Sequence, residues 1–373
     1  MSHDGSAPAV IHRPGVQLPP LTLEVAAQYD CVIDARSPAE FALDHFPGAI
    51  NLPVLSNEER AHVGTVYKQV SAFEARKLGA AIVARNIAAH IERELYDRPR
   101  KWRPLVYCWR GGMRSGAMTQ IFRSVGWNAQ QLDGGYKAWR GQVITDLASL
   151  PGLFRYRVIC GRTGSGKSRL LQALAHAGEQ VLDLEQLARH KGSVLGGLPE
   201  IAQPSQKWFE SRIWAALSVF SAERPIYVEA ESKKVGDLRV PQPLIEAMWS
   251  GTCFELDLPI EGRIALLKEE YAHFMDAPAR LIERLNGLSA LHSRKTLDTW
   301  RDLAAHAEWD ELVLGLLNDH YDPAYQRSMF KNYRGASTAE RVRIGGIAEG
   351  EFVQAAQYLA QLNDSARSNP QNP

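Results

Sequence analysis

Cysteine is scarce in this chain: four of 373 residues, Cys31, Cys108, Cys160 and Cys253. They stand far apart, with no C-x-x-C pair and no zinc-ligand spacing, which excludes a disulfide framework and a cysteine-based structural metal site. That pattern implies a reducing compartment. Also lacking is any apolar run of about 18 residues, so no membrane-spanning helix is expected. The polar segment 1–14 has no apolar signal core, and the expectation is a cytoplasmic protein with no membrane partner. An excess of one charge is missing too. With 43 Lys and Arg against 42 Asp and Glu, the formal net charge is +1. A nucleic acid partner must then be met by a local basic patch, not by a general positive field. There is no internal repeat and no low-complexity core.

The length suggests two or three domains, and the 45% hydrophobic content is enough for a core in each. Segments 1–14 and 363–373, rich in Ser, Pro, Gly and Asn, read as disordered tails. Residues 15–145 form a first domain. Short apolar runs at 29–35 and 104–108 are buried-strand candidates there, and a helical insertion occupies about 56–102, with long helical periodicity over 71–94. Leu150, Pro151 and Gly152 break the chain. Residues 152–362 form a second domain with strand candidates at 155–160, 180–184, 225–229 and 252–258, mostly helical after Pro259. Strands alternating with helices imply parallel sheets covered by helices, an α/β fold in both domains.

Cys108 ends an apolar strand and is followed by Trp-Arg-Gly-Gly-Met-Arg-Ser. Gly111 and Gly112 let a short strand-to-helix loop curl without Cβ clashes. Such a loop aims several backbone N–H groups at one spot, an anion nest that Ser115 borders and that Arg110 and Arg114 reinforce. A cysteine facing it is expected to be a thiolate nucleophile. The bland alternative, a small buried residue at a strand end, fits Cys31, Cys160 and Cys253 better.

The second constellation is GRTGSGKS at residues 161–168, which fits G-x4-G-K-S with a strand before it and a helix after it. Gly161, Gly164, Ser165 and Gly166 supply amides for a di- or triphosphate, Lys167 bridges phosphate oxygens, and Ser168 can hold Mg²⁺. Acidic partners are expected at strand ends: Asp183, with Glu185 beside it, and Glu229 and Glu231. Arg263 is either a phosphate contact or a surface charge. The densest basic run is Arg98-Pro99-Arg100-Lys101-Trp102-Arg103. Its Arg100, Lys101 and Arg103 are candidate contacts to a nucleic acid backbone, with Trp102 available to stack on a base. The apolar stripe at Trp208, Phe209 and Trp214 reads as helix core, with the wall of an apolar ligand pocket as the alternative.

Asp34-Ala35-Arg36-Ser37-Pro38-Ala39-Glu40-Phe41, His45-Phe46-Pro47-Gly48-Ala49-Ile50-Asn51 and Leu132-Asp133-Gly134-Gly135-Tyr136-Lys137-Ala138-Trp139, with the Cys108 loop, resemble the signatures of the rhodanese family over residues 18–142. The Cys-x5-Arg loop is one residue longer than the usual sulfurtransferase loop. That length also suits cysteine phosphatases of this fold, although Tyr107 stands where they place a histidine. A rhodanese domain followed by a P-loop domain resembles the tRNA 2-selenouridine synthase family. Asn57-Glu58-Glu59-Arg60 and Gly64-Thr65-Val66-Tyr67-Lys68-Gln69 add to that likeness. The resemblance implies a transferase acting on wobble 2-thiouridine of tRNA, with selenophosphate as selenium donor, Cys108 as carrier and geranyl diphosphate as alkyl donor at the P-loop. Selenophosphate synthase is then a partner. Alkylation would turn a poorly departing thiocarbonyl sulfur into a thioether able to leave as a thiol. The alternative is a rhodanese-fold cysteine phosphatase or sulfurtransferase with a regulatory nucleotide-binding P-loop.

Overall fold

The computed structural model describes residues 21–193, 195–197 and 201–368. The predicted tail 1–14 lies outside them. The chain divides into two compact units between Gln142 and Val143. This point is inside the helix Gly135–Ser149, ahead of the 3-10 turn Leu150–Leu153 that carries the predicted break.

In the first unit the strands are β1 (Cys31–Asp34), β2 (Ile50–Asn51), β3 (Pro104–Tyr107) and β4 (Gln130–Gln131). They form one parallel sheet in the order β2-β1-β3-β4, with Val32 opposite Leu105 and Leu105 opposite Gln130. A parallel sheet is covered on both faces, so its central strands are apolar runs; β3 is buried throughout. Ile33, Val106, Met118, Phe122 and Trp127 join one core. The insertion is a pair of packed helices, Asn57–Gln69 and Ala72–Glu94. Ser56 and Glu59 form a capping box at the first, and Ser71 caps the second, each cap satisfying amides the helix cannot.

The second unit holds β5 (Tyr156–Cys160), β6 (Gln180–Leu182), β7 (Ile226–Glu229), the small hairpin β8 (Lys234–Val235) and β9 (Leu238–Arg239), β10 (Thr252–Asp257) and β11 (Glu340–Arg343). Its five-stranded parallel sheet runs β11-β10-β5-β7-β6. Strand β5 is central, so the loop after it opens at the carboxyl edge, where open α/β sheets bind ligands. The helix Lys167–His176 packs under the final helix Glu349–Ser368. That final helix runs six residues into the segment 363–373 read as a tail. Strand β11 departs from the helical expectation after Pro259. Only Val342 of its four residues is buried, so an edge strand carries no apolar run to announce it. The helices between Ile260 and Asn332 gather around Phe274, Leu285, Trp300 and Leu312.

Candidate functional site

In the first unit, Cys108 sits buried at the end of β3, and Ser115 Oγ donates to its Sγ at 3.1 Å. Four carbonyls of the loop, those of Cys108, Trp109, Gly111 and Gly112, are engaged. Tyr136 N and Lys137 N take those of Cys108 and Trp109 at 2.8 and 2.9 Å. Gln131 Nε2 takes those of Gly111 and Gly112 at 2.6 and 3.1 Å. The amides of residues 109–114 donate to no protein group among the described residues. With these acceptors tied down and its donors open, at the start of the 13-residue helix Met113–Val125, the loop is built to face an anion. Gly111 holds φ +65°, and a Cβ there would lie 2.6 Å from the Leu132 carbonyl, so no other residue fits.

Of the two flanking arginines, Arg110 is exposed. Arg114 is held by Glu40 Oε2 at 3.0 Å, which also takes Arg60 from the insertion at 2.9 Å. Burial works to raise the Glu40 carboxyl, but the charges of Arg114 and Arg60 and hydrogen bonds from Arg114 and Ser37 outweigh it and leave its pKa below the usual range. The first signature proves to be a buried frame: Arg36 donates to Asp34 and to the Asp44 carbonyl and lies 3.8 Å over the Tyr136 ring. Tyr136 donates to Asp44 at 2.7 Å. Tyr107, at the phosphatase-histidine place, accepts from Phe46 N and is likewise part of the frame.

In the second unit the P-loop wraps the end of β5. Gly164 has φ +78°, and a Cβ there would lie 2.8 Å from Leu267 Cγ. Lys167 Nζ donates to the Gly161 carbonyl at 2.9 Å, and Gly161 N donates to Tyr325 OH at 2.6 Å. Ser168 Oγ donates to Glu185 Oε2 at 3.2 Å. Glu229 Oε1 accepts from Glu185 N at 2.9 Å, while its buried Oε2 has no partner among the described residues. Burial first, and then mutual repulsion, raises the carboxyls of Glu185, Glu229 and Glu231, that of Glu231 to about 8.

Two expectations change here. Asp183 is an N-cap: its Oδ1 accepts from Gln186 N at 2.8 Å, and Glu185, two residues on, is the acid that reaches Ser168. Arg263 is not a surface charge. It is buried, donates to the Thr163 carbonyl at 2.9 Å, and is gripped by both oxygens of Asp322 at 2.9 and 2.6 Å. It fixes the shape of the P-loop.

The P-loop opens into a pocket of about 440 Å³ lined by Lys167, Ser168, Glu185, Glu231 and His320 among others. Against it lies a smaller apolar cavity of about 80 Å³ walled by Leu195, Phe274, Leu281, Leu312, Val313 and Leu316. Thr163, Ser193, Leu267, Tyr271 and Tyr321 line both. Phe209 and Trp214, the stripe weighed as a pocket wall, are instead buried core of the helix Gln206–Val219. The cavity escaped sequence reading because its walls come from segments up to 158 residues apart, Thr163 to Tyr321.

The basic run lies at the amino end of β3, the opposite sheet edge from Cys108. Arg100, Lys101 and Arg103 are exposed. Trp102 is 3% exposed and packed edge-on against Trp127, which removes it as a stacking platform.

Residues 23–142 match the family model of the rhodanese-like domain, and residues 154–293 that of the tRNA 2-selenouridine synthase AAA domain. The tRNA 2-selenouridine synthase of Nitrosomonas europaea is 32% identical over 91% of this chain and 82% of its own length. The chain belongs to the tRNA 2-selenouridine synthase family. Other members are similarly distant from it. That of Hydrogenovibrio crunogenus is 34% identical over 80% of this chain and 89% of its own, and that of Shewanella halifaxensis 32% over 88% and 94%. Likeness to this family covers both the Cys108 loop and the P-loop, so a reading that uses only one of them leaves half of the family pattern without a task. No helix among the described residues is long and apolar enough to cross a membrane.

Proposed function

We propose that this chain makes 2-selenouridine in tRNA in two steps that its two sites divide. At the P-loop, 2-thiouridine sulfur is alkylated by geranyl diphosphate. At Cys108, selenium delivered from selenophosphate is held in the amide nest and passed to C2 as the geranyl thiol departs. Selenophosphate synthase is the supplier this requires, and a cytoplasmic setting suits a free cysteine.

The observation that carries the first step is the apolar cavity that shares five lining residues with the P-loop pocket. An apolar recess whose lining meets that of a diphosphate cradle suits a prenyl chain. Each buried methylene contributes about 0.8 kcal/mol, so a ten-carbon chain is held far more firmly than a five-carbon one. Lys167 would stabilise the charge that grows on the leaving diphosphate. Mg²⁺ fits beside it: the Ser168 hydroxyl and Glu185 carboxylate would hold the ion with diphosphate oxygens and water, as this cation prefers, and it would add positive charge there. For the second step the support is the set of open amides at residues 109–114 and the Arg110 and Arg114 charges around Cys108.

The test fills the recess. Val313→Trp, at a half-buried wall position, should raise the KM for geranyl diphosphate at least tenfold and leave selenation of pre-geranylated tRNA intact, read by mass spectrometry of nucleosides. Unchanged geranylation, or an absolute need for ATP, would return the P-loop to the role of a regulatory nucleotide site.

A further inference from the structure

The helix that closes the pocket contains one irregular turn. Residues Leu317–Tyr321 form a π-helical turn between the helices Trp309–Leu316 and Asp322–Asn332, a distortion that persists where it serves a site. Its residues divide their attention. Leu317 lines the apolar cavity, Tyr321 lines both cavity and pocket, and His320 lines the P-loop pocket. Asp322, the next residue, grips Arg263 and through it the P-loop.

His320 is 9% exposed, and its Nδ1 lies 2.9 Å from Nε2 of His292. His292 is held in turn edge-on against the buried Trp300 ring, with centroids 4.8 Å apart. The other ring nitrogen of His320, Nε2, has no partner among the described residues. When Nδ1–H donates to His292, Nε2 keeps a free lone pair on a ring that lines the pocket. The charged and titratable groups around it are His292, Arg327 and Tyr321, with Lys167, Lys191, Glu185, Glu231, Glu270, Tyr271 and Tyr325 also lining the pocket. Burial, then His292 and Arg327, holds His320 below the ordinary imidazole pKa, so it is neutral at pH 7.

Alkylation of 2-thiouridine needs such a group. The sulfur pair forms the new bond to the allylic carbon, and the carbon–oxygen bond breaks with its pair leaving on the diphosphate. C2=S becomes C2–S, the N3–H electrons become the C2=N3 double bond, and the N3 proton must go to a base. Resting on the alkylation reading above, we propose that His320 is the general base that accepts the N3 proton of 2-thiouridine at Nε2, with His292 positioning it through Nδ1.

The test is single-turnover geranylation of 2-thiouridine tRNA by the full chain from pH 5.5 to 9.5, for wild type, His320→Gln and His292→Gln. Wild type should show an acidic limb set by His320. His320→Gln should lose about a hundredfold at pH 7 and regain most of it at alkaline pH, where N3 ionises unaided. His292→Gln should move the limb with a smaller loss. Inorganic pyrophosphate binding, read by tryptophan fluorescence, and the thermal unfolding midpoint should stay near wild type in both. A His320→Gln enzyme as fast as wild type, or slowed by one factor at every pH, overturns the proposal, the latter marking a packing role only. Absence of geranylated nucleoside from wild type overturns the alkylation reading and this proposal with it.

Discussion

The Cys108 loop and the P-loop use the same backbone device for different ends. Each follows the end of a central or near-central parallel strand, turns through at least one glycine at positive φ, and enters a helix. What surrounds them differs. Around Cys108 stand cations and one carboxylate, Glu40, that positions them. Around Lys167 stand three carboxyls and an apolar recess. An amide nest alone therefore tells little beyond anion binding. On the reading proposed above, the groups facing it decide whether the anion is an incoming nucleophile or a leaving group pulled from carbon.

That contrast is broken most severely by Cys108→Ala. Selenouridine should fall by at least about a thousandfold, as expected when the thiol that opens selenophosphate is removed: its sulfur bonds phosphorus, the P–Se bond breaks, and selenide is released to the amide nest; geranylated nucleoside accumulates. Mass spectrometry of tRNA incubated with selenophosphate, geranyl diphosphate and a thiol reductant reads both. Lys167→Ala should give the mirror image: geranylation down about a hundredfold or more, the cost of one preorganised charge, with pre-geranylated tRNA still converted. If both variants fail on pre-geranylated tRNA, the sites act as one and the comparison collapses.

A smaller effect sharpens the electrostatic half. The Glu231 carboxyl is raised to about 8 in the folded chain against 4.5 ordinarily. Between those values the unfolded chain sheds a proton that the folded chain keeps. This contribution to stability is full below about pH 4.5 and lost as pH rises to 8. Glu231→Gln should thus raise the unfolding midpoint by a few degrees at pH 8 and leave it nearly unchanged at pH 5. The Cys108 unit offers no such carboxyl, since Glu40 is shifted the other way. The smallest effect is expected from Arg100, Lys101 and Arg103 replaced together by Ala. Placed at the sheet edge away from Cys108, they should change the slope of log affinity for tRNA against log salt by no more than one phosphate contact, about 0.9. A loss of two or three contacts' worth would route tRNA along that edge.

Both nests were legible in the sequence because each is local: a strand end, glycines and a charged or nucleophilic residue within eight positions. Parallel α/β units were equally plain from alternating apolar runs. What stayed hidden is non-local. Asp183 and Glu185 read alike as acids after a strand, and only the start of the helix Leu184–Ala188 assigns one to its cap and the other to Ser168. Arg263 and Asp322, 59 residues apart, reveal nothing of their clamp until folded. Trp102 looked like a base-stacking aromatic in a basic run, yet it is the strongly buried member of that run because Phe122 and Trp127 pack on it.

The bond from Lys167 Nζ to the Gly161 carbonyl has a consequence for selectivity. An anion entering the P-loop must compete with the loop's own acceptor for that ammonium. That bond, from a charged ammonium to a neutral carbonyl, contributes about 2 kcal/mol net, and only an acceptor that is itself charged gains more. A singly charged, freely hydrated anion gains little from the exchange. A diphosphate places two charged groups along the loop at once and wins easily. The loop thereby discriminates by charge density before any part of the ligand's tail is read, and common small anions act as weak competitors, not blockers.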